Sequence, residues 1–364
     1  MKVTRMEARP VRLPRDIAQA TGTAGSPTVL APSTNDYRWS SVYPCLYSVN
    51  FETAVVRVET DAGIHGWGEA QAPLAPEVAC AIIDRLLAPV LVGEEVNAEA
   101  LWDRMYNTMR VRGQTGGFMI DAISAIDIAL WDIRGRAEGV PVSKMLSSAP
   151  KTRLPAYLSG LAKGASPEPF TQVKLFYDTH TPEEFFGAWP SGVQVAADAL
   201  WRHTPESALE FGAELDRRGA LWFEAPLAPE DPLAHAELAR RVKTPVAIGE
   251  SYRTRFEMAP FFRQRAVGVY QPDLGRSGIT EGLRLAAVAA EHGIPVVPHV
   301  SIAFGPQLAA ALHLAAAVPN CHLVEYNPQV AAIANRFLAK PIEMDGCSYL
   351  LPEGPGLGIE LEWP

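Results

Sequence analysis

The sequence is poor in the features that mark secreted, thiolate-metal and membrane-spanning proteins. It has only four cysteines and no Cys-x-x-Cys pair, which argues against a disulfide framework or a thiolate zinc site and favours a reducing, cytoplasmic compartment. The opening segment MKVTRMEARPVRLPRD lacks the apolar stretch of a signal peptide. No segment approaches the roughly 20 apolar residues of a membrane span, so we expect no membrane partner.

Positive charge is also scarce. Lys and Arg total 32 against 41 Asp and Glu, a net charge of −9 at pH 7. An acidic chain without a basic run is a poor ligand for nucleic acid or an anionic membrane. An anionic substrate would therefore need a local positive centre, such as a metal ion.

Apolar residues are plentiful by contrast. Hydrophobic residues make up 48% of the 364 residues and charged residues 20%, so a large core is available and intrinsic disorder is not expected. The length suits one large α/β barrel with a smaller partner domain.

The first part of the chain reads as strands followed by helices. Residues 2–9, 52–60 and 64–69 resemble short strands, and three helical patterns follow, the last being FMIDAISAIDIALWDIRGRAEG. We therefore predict an α+β capping domain over residues 1–145. Its long Gly/Ser/Thr/Pro-rich loop, residues 21–47, is interpreted as a lid over the barrel mouth. HGWGEA at 65–70 is either a second lid element or an ordinary turn into a strand.

From Leu154 short apolar strands alternate with amphipathic helices. Eight strand candidates follow one another: PAYLS, QVKLFY, VQVAAD, LWFEAP, PVAIGE, GVYQPD, PVVPHV and HLVEY. They predict a modified (β/α)₈, TIM-like barrel over residues 146–330, with chemistry at the C-terminal ends of its strands. Only 11 residues separate Gly160 from Gln172, so the first barrel helix should be missing and the second, THTPEEFFGAWPSG, short. Residues 331–364 should pack back on the capping domain.

Three of these strands end in a carboxylate. Asp198, Glu224 and Glu250 are spaced 26 residues apart, about the length of one strand, loop and helix. This spacing predicts three acids at equivalent heights, and converging carboxylates with hard oxygen donors suit Mg²⁺. The alternative for each acid is a helix cap or an arginine pair.

Further polar residues follow at the neighbouring strand ends. Asp273 and His299 close the sixth and seventh strands, where the carboxylate could orient the imidazole as a general base. Glu325 closes the eighth strand and could bind a substrate carboxylate, carry a proton or pair with an arginine. Lys174 on the second strand could offset the carboxylates, or act as a base if its pKa is lowered. His203, just before the helix that Thr204 caps, is interpreted as a helix-entry residue.

The combined motifs resemble the enolase superfamily, in its mandelate racemase branch. The motifs are HGWGEA and DAISAIDIALWDIRGRAEGVPVSKML in the capping part, then WFEAPL, PVAIGES, YQPDLGRSGIT, VVPHV and LVEY in the barrel. The resemblance implies Mg²⁺ at Asp198, Glu224 and Glu250, and an Asp273–His299 general base. It also implies Glu325 as hydrogen-bond donor or acid, and a carboxylate substrate whose α-proton is abstracted to give a metal-stabilised enediolate.

The sequence departs from that family's pattern at several positions. Phe176 stands where many members have a second lysine, in Lys174-Leu175-Phe176, and Leu200 stands where an Asn or His is usual. Ala225 replaces a common second acid, and the early barrel helices are truncated. With His299 as the clear base, chemistry on one face of the substrate is expected.

The predicted activity is dehydration of a sugar acid to a 2-keto-3-deoxy acid by a magnesium-dependent lyase. The alternatives are a racemase or epimerase, which would need Lys174 on the opposite face, and a catalytically degenerate scaffold. A cycloisomerase is disfavoured because those members usually carry a lysine where Asp273 stands. The expected partner is a small carboxylate, and barrels of this kind commonly form homo-oligomers.

Overall fold

The computed structural model describes residues 1–14, 36–40, 45–161, 164–179 and 181–362. The N-terminal part contains an antiparallel sheet of β1 (Val3–Pro14), β4 (Asn50–Thr60) and β5 (His65–Ala70), and a two-stranded ribbon of β2 (Tyr37–Trp39) and β3 (Leu46–Ser48). Most of the predicted lid, residues 21–35 and 41–44, lies outside the described residues.

Five helices follow this sheet. Helix α1 (Glu77–Ile82) continues through a π-helical turn (Ile83–Leu87) into α2 (Ala88–Leu91), and α3 (Ala98–Arg110), α4 (Phe118–Glu138) and α5 (Val142–Leu146) come next. Helix α4 is the long predicted helix and ends at Gly139, whose φ of 70° is a left-handed C-cap. It packs on β5 so closely that a Cβ at Gly68 would overlap the carbonyl oxygen of Ala125. HGWGEA is therefore the strand rather than a second lid element, and its glycines serve this packing.

The second part of the chain is a barrel of parallel strands. Its strands are β6 (Arg153–Ser159), β7 (Gln172–Phe176), β8 (Gln194–Asp198), β9 (Phe223–Glu224), β10 (Val246–Ile248), β11 (Val269–Tyr270) and β12 (Val324–Tyr326). They pair in that order from β6 to β11, and β12 pairs with β6. This confirms the predicted α/β barrel with an α+β capping domain.

The seventh strand position differs from the prediction. PVVPHV forms no continuous strand, and is held by isolated parallel bridges from Val296 to Tyr270 and to Cys321, and from His299 to Asp273. Pro295 and Pro298 lack backbone N–H groups, so a regular hydrogen-bond ladder cannot run through this segment. The bridges still join the sixth and eighth positions and close the ring.

The outer helices of the barrel follow the predicted order. They are α6 (Pro182–Gly187), α7 (Pro205–Arg218), α8 (Pro232–Arg241), α9 (Arg255–Arg263), α10 (Leu274–Glu291), α11 (Pro306–Ala317) and α12 (Pro328–Arg336). No helix lies between β6 and β7 in the described residues, which leave out 162 and 163, and α6 has only six residues. Thr204 caps α7 with Pro205 in the first turn, as predicted.

The C-terminal residues return to both parts of the molecule. Strand β14 (Ser348–Leu350) pairs with β13 (Met344–Asp345) and adds antiparallel to β6. Further on, Glu360 accepts hydrogen bonds from Trp67 and Arg136, and the Leu357 amide donates to Asp132. The segment boundaries at 145 and 330 remain a prediction. Nowhere in the described ranges is a helix both long and apolar enough to cross a bilayer.

Candidate active site

Two of the three strand-end acids lie side by side. Asp198 ends β8 and Glu224 ends β9, and the two residues are direct register partners. The register partner of Glu224 on β10 is Ala247, so Glu250 lies three residues farther along the chain. The prediction of three equivalent heights is therefore right for Asp198 and Glu224 and wrong for Glu250.

A glycine explains how Glu250 still reaches the same end of the barrel. β10 stops at Ile248, and Gly249 has a φ of 154°. A Cβ at this position would lie 2.5 Å from the backbone carbon of Gln271, a distance that a side chain cannot adopt. Gly249 thus lets the chain pass against the neighbouring strand and turn Glu250 into the barrel mouth.

Lys174 lies at the centre of the carboxylate cluster. Its Nζ is 2.6 Å from Glu224 Oε1, 2.9 Å from Glu325 Oε1 and 3.6 Å from Asp198 Oδ2. Burial would lower the pKa of Lys174, but the charges of Glu224 and Glu325 raise it well above its usual value. Of the two roles considered for Lys174, this arrangement favours the ammonium that offsets the acids over the base.

The acids around Lys174 respond differently to their surroundings. Burial and the nearby charge of Glu224 raise the pKa of Asp198 well above its usual value. Burial opposes ionisation of Glu325 too, but Lys174 and His299 lower the pKa of that carboxyl. Its other oxygen accepts a hydrogen bond of 2.9 Å from the Val300 amide. Glu325 is therefore held as a carboxylate beside the candidate base.

Asp273 and His299 are in contact. The two residues form a parallel bridge, and His299 Nδ1 lies 2.9 Å from Asp273 Oδ2. The other Asp273 oxygen accepts from the Gly275 amide at 2.9 Å, which fixes the carboxylate. This contact orients the imidazole ring and turns its other nitrogen, Nε2, toward the barrel mouth.

The free edge of His299 points to the third acid. Its Nε2 lies 3.0 Å from Glu250 Oε2. Burial would lower the pKa of His299, but Glu250, Glu325 and the contact with Asp273 raise it well above its usual value. Burial opposes ionisation of Glu250, yet His299 lowers the pKa of that carboxyl to about 2. Because the ionised Glu250 only accepts hydrogen bonds, Nε2 donates to it, and His299 is a charged imidazolium in this arrangement.

Sequence reasoning missed the neutral side chains that hold these acids. Gln271 Nε2 and Trp222 Nε1 donate to Glu224 Oε2 at 2.7 and 2.8 Å, and Trp201 Nε1 donates to Glu250 Oε1 at 3.1 Å. Gln271 precedes Asp273 by two residues and Trp222 precedes Glu224 by two. Residues two apart on a strand share a face, so this spacing could have identified both.

The acids border a cavity of about 740 Å³ at the barrel mouth. Lys174, Asp198, Glu250, His299 and Glu325 line it from the barrel, and residues 45–48 of the capping domain line its opposite side. Other lining residues from the barrel include Phe176, Leu200, Trp201, Arg276 and Asn327. The small described part of the predicted lid therefore borders the site.

His203 does not line this cavity. It lies at the start of α7, as its interpretation as a helix-entry residue predicts. Its ring stacks on Tyr177 at a centroid distance of 5.2 Å, and its Nδ1 lies 3.1 Å from Ser207 Oγ. It lines a separate groove beside α6 and α7.

The donor set at the mouth suits a hard divalent cation. Asp198, Glu224 and Glu250 offer only oxygen donors, and their charges exceed what Lys174 neutralises. The three acids do not already form a coordination site. Among the described residues no group of three or more Asp, Glu, His or Cys side chains has metal-ligand geometry. Glu224 and Glu250 are instead engaged by Lys174 and His299. The residues fit the ion by chemistry and proximity.

Family models match most of the chain. Residues 45–147 match the mandelate racemase / muconate lactonizing enzyme N-terminal domain, and residues 186–364 match the enolase C-terminal domain-like family. D-galactarolactone cycloisomerase of Agrobacterium fabrum is 30% identical over 338 residues, 84% of this chain and 88% of that protein. Arabinonate dehydratase of Saccharolobus solfataricus is 30% identical over 350 residues, 90% of this chain and 93% of that protein.

Solved structures share the fold. A member of the enolase superfamily from Agrobacterium tumefaciens superposes with a TM-score of 0.91 at 30% identity, covering 99% of this chain and 97% of that one. A racemase from Streptomyces coelicolor, solved with bound magnesium, superposes with a TM-score of 0.81 at 22% identity, covering 99% of this chain and 97% of that one.

Proposed function

Because this chain belongs to the mandelate racemase/muconate lactonizing enzyme family of the enolase superfamily, we propose that it removes the α-proton of a sugar acid and dehydrates it to a 2-keto-3-deoxy acid. The observation that carries the proposal is the contact of His299 with Asp273 at the cavity that Lys174 and the acids also line. Relatives at 30% identity are a cycloisomerase and dehydratases of sugar acids.

His299 is the proposed base. Asp273 orients the ring through Nδ1, so Nε2 accepts the α-proton. Glu250 lies 3.0 Å from Nε2. If Glu250 held the cation instead, its charge would no longer raise the pKa of His299, and Nε2 would be free to accept the proton. Lys174, in its ammonium form, orients the substrate carboxylate, and Glu325 positions Lys174 through their contact of 2.9 Å.

The cation is proposed to be Mg²⁺, held by Asp198, Glu224 and Glu250. Enzymes of this superfamily typically use a divalent metal ion. When bound, the ion supplies positive charge that stabilises the developing dianion of an ionised carboxylic acid, which a neutral imidazole alone cannot deprotonate. Its oxygen ligands and the surplus acid charge at the mouth support this assignment.

Elimination needs a base on only one face of the substrate. After the α-proton moves to His299, the C–O bond at the β-carbon breaks and the departing hydroxyl takes a proton from the imidazolium, leaving as water. The resulting enol tautomerises to the keto acid. Racemisation would need a second proton carrier opposite His299, where Phe176 and Leu200 line the cavity without one. This favours dehydration over racemisation.

The test is a panel of aldonic and aldaric acids incubated with the protein and Mg²⁺. The 2-keto-3-deoxy products are detected by a carbonyl-specific reagent, and α-deuterium incorporation in D₂O is followed by NMR. We expect keto-acid formation from at least one acid.

Exchange at the α-carbon without elimination would identify a racemase or epimerase instead. Absence of both keto acid and exchange across the panel would favour a non-catalytic barrel.

A further inference from the structure

Two apolar side chains line the cavity on the side of β7 and β8, next to Lys174 and Asp198. Phe176 ends β7 and Leu200 follows β8, and both line the cavity. His299 occupies the seventh of eight strand positions and β8 the third, so the closed ring places them across the mouth from each other. Trp201 also lines the cavity, and its indole N–H donates to Glu250, which contacts His299. We call Phe176 and Leu200 the apolar wall.

Neither Phe176 nor Leu200 can form a hydrogen bond through its side chain. The ammonium of Lys174 lies 5.4 Å from the Phe176 ring centroid but makes its close contacts with carboxylates. A substrate hydroxyl pressed against this wall would lose its bonds to water and gain none from Phe176 or Leu200. An unpaired buried hydroxyl of this kind weakens binding by about 5- to 150-fold.

The backbone at the wall is strained in a way that a polar residue would relieve. Leu200 has a φ of 54° and Trp201 a φ of 60°, in the left-handed region where Asn and Gly are common and Leu is not. The Leu200 amide donates to Asp198 Oδ1 at 3.0 Å, which fixes this turn. A leucine held in an unfavourable conformation at the edge of a site points to a function for its side chain.

We propose that the apolar wall selects acids that present C–H rather than O–H groups on the face away from His299. The preferred substrate class is then a partly deoxygenated or alkyl-substituted hydroxy acid, rather than an aldonic acid hydroxylated at every carbon. This inference rests on the proposed function, because it assumes that the α-proton faces His299.

The test compares a five-carbon aldonic acid with analogues that lack one hydroxyl at carbon 3, 4 or 5. Dissociation constants are measured by calorimetry with Mg²⁺, and α-proton exchange is followed by NMR in D₂O. The proteins are the unaltered chain, Leu200→Asn, and the control Leu233→Asn, which makes the same change on the exposed face of α8. Phe176→Asn is the second wall variant, should Leu200→Asn fail to fold.

We expect at least one deoxy analogue to bind the unaltered protein five-fold or more tightly than the parent acid. Leu200→Asn should lose that preference without a fall in Tm, while Leu233→Asn should keep it. Equal binding of parent and analogues, or an unchanged preference in both wall variants, would overturn the inference. The preference without any α-proton exchange would support the wall's selectivity and overturn the proposed function; no binding by any acid would overturn both.

Discussion

Buried carboxylates occur in two regions of this molecule, and their partners differ. At the interface between the capping domain and the barrel, Glu69 accepts from the Phe304 and Gln307 amides, and Asp127 accepts from the amide and hydroxyl of Thr280. Burial dominates there and raises the pKa of Glu69 to about 8 and that of Asp127 to about 7. These two carboxyl groups can therefore be buried in their neutral, protonated form.

At the barrel mouth, five carboxylates surround two cationic groups. Asp198, Glu224, Glu250, Asp273 and Glu325 all lie within the contacts of Lys174 and His299. Glu69 and Asp127 accept hydrogen bonds from neutral donors, whereas the carboxylates at the mouth outnumber the cationic groups beside them. A surplus of buried charge is unfavourable for stability, and this makes the mouth acids better candidates for a chemical role than Glu69 and Asp127.

The strongest test of the mouth is His299→Asn. Removing a general base should lower α-proton exchange by about 10²- to 10⁴-fold, measured by NMR in D₂O with the best acid of the panel. His203→Asn, in the groove beside α7, should leave exchange unchanged. Exchange that survives in His299→Asn would show that the base lies elsewhere.

Glu69 at the interface should make the free energy of unfolding depend on pH. The folded protein binds a proton at Glu69 up to pH of about 8, whereas an unfolded glutamate releases it near 4.5. This contribution is fully present below pH 4.5 and is lost as pH rises towards 8, a change on the order of a few kcal/mol.

Urea unfolding from pH 5 to 8 measures the change. We expect Glu69→Gln to flatten this part of the profile and the exposed variant Glu99→Gln to keep it. A profile of Glu69→Gln with the same slope as that of the unaltered protein would contradict the assignment.

Mg²⁺ should raise the free energy of unfolding of the protein by binding to the acids at the mouth, not to those at the interface. A ligand that binds only the folded state at about 100 times its Kd adds about 2.7 kcal/mol to the free energy of unfolding. Thermal unfolding with and without Mg²⁺ measures this gain, and EDTA should reverse it. Glu250→Gln should lose most of the gain, whereas Glu237→Gln on the surface of α8 should retain it. Equal gains in both variants would remove Glu250 from the ligand set.

The smallest expected effect concerns packing within the capping domain. Gly68→Ala would press a methyl group into the Ala125 carbonyl of α4, and overpacking of this kind destabilises by about 1–3 kcal/mol. Gly187→Ala is the control, because nothing lies within 4 Å of its added Cβ. Chemical unfolding should separate the two. Equal free energies of unfolding for the two variants would mean that β5 and α4 can move apart at no cost in stability.

Local sequence patterns anticipated much of the site. The apolar runs ending in Asp198, Glu224 and Asp273 predicted strands whose C-terminal ends carry acids, because parallel strands alternate with helices at a regular spacing. The pattern could not give the height of Glu250, which depends on the close approach of Gly249 to Gln271. It also placed a strand at PVVPHV, where Pro295 and Pro298 leave only isolated bridges.

The sequence by itself determined the barrel with its capping domain, the short connection after the first barrel strand and the residue types at the mouth, since hydrophobic periodicity and loop length are local properties. Only the tertiary structure decided that Lys174 pairs with Glu224 and Glu325 and that His299 lies between Asp273 and Glu250. These contacts join residues far apart in the chain. Their distances, and the pKa shifts that follow, exist only once the ring of strands has closed.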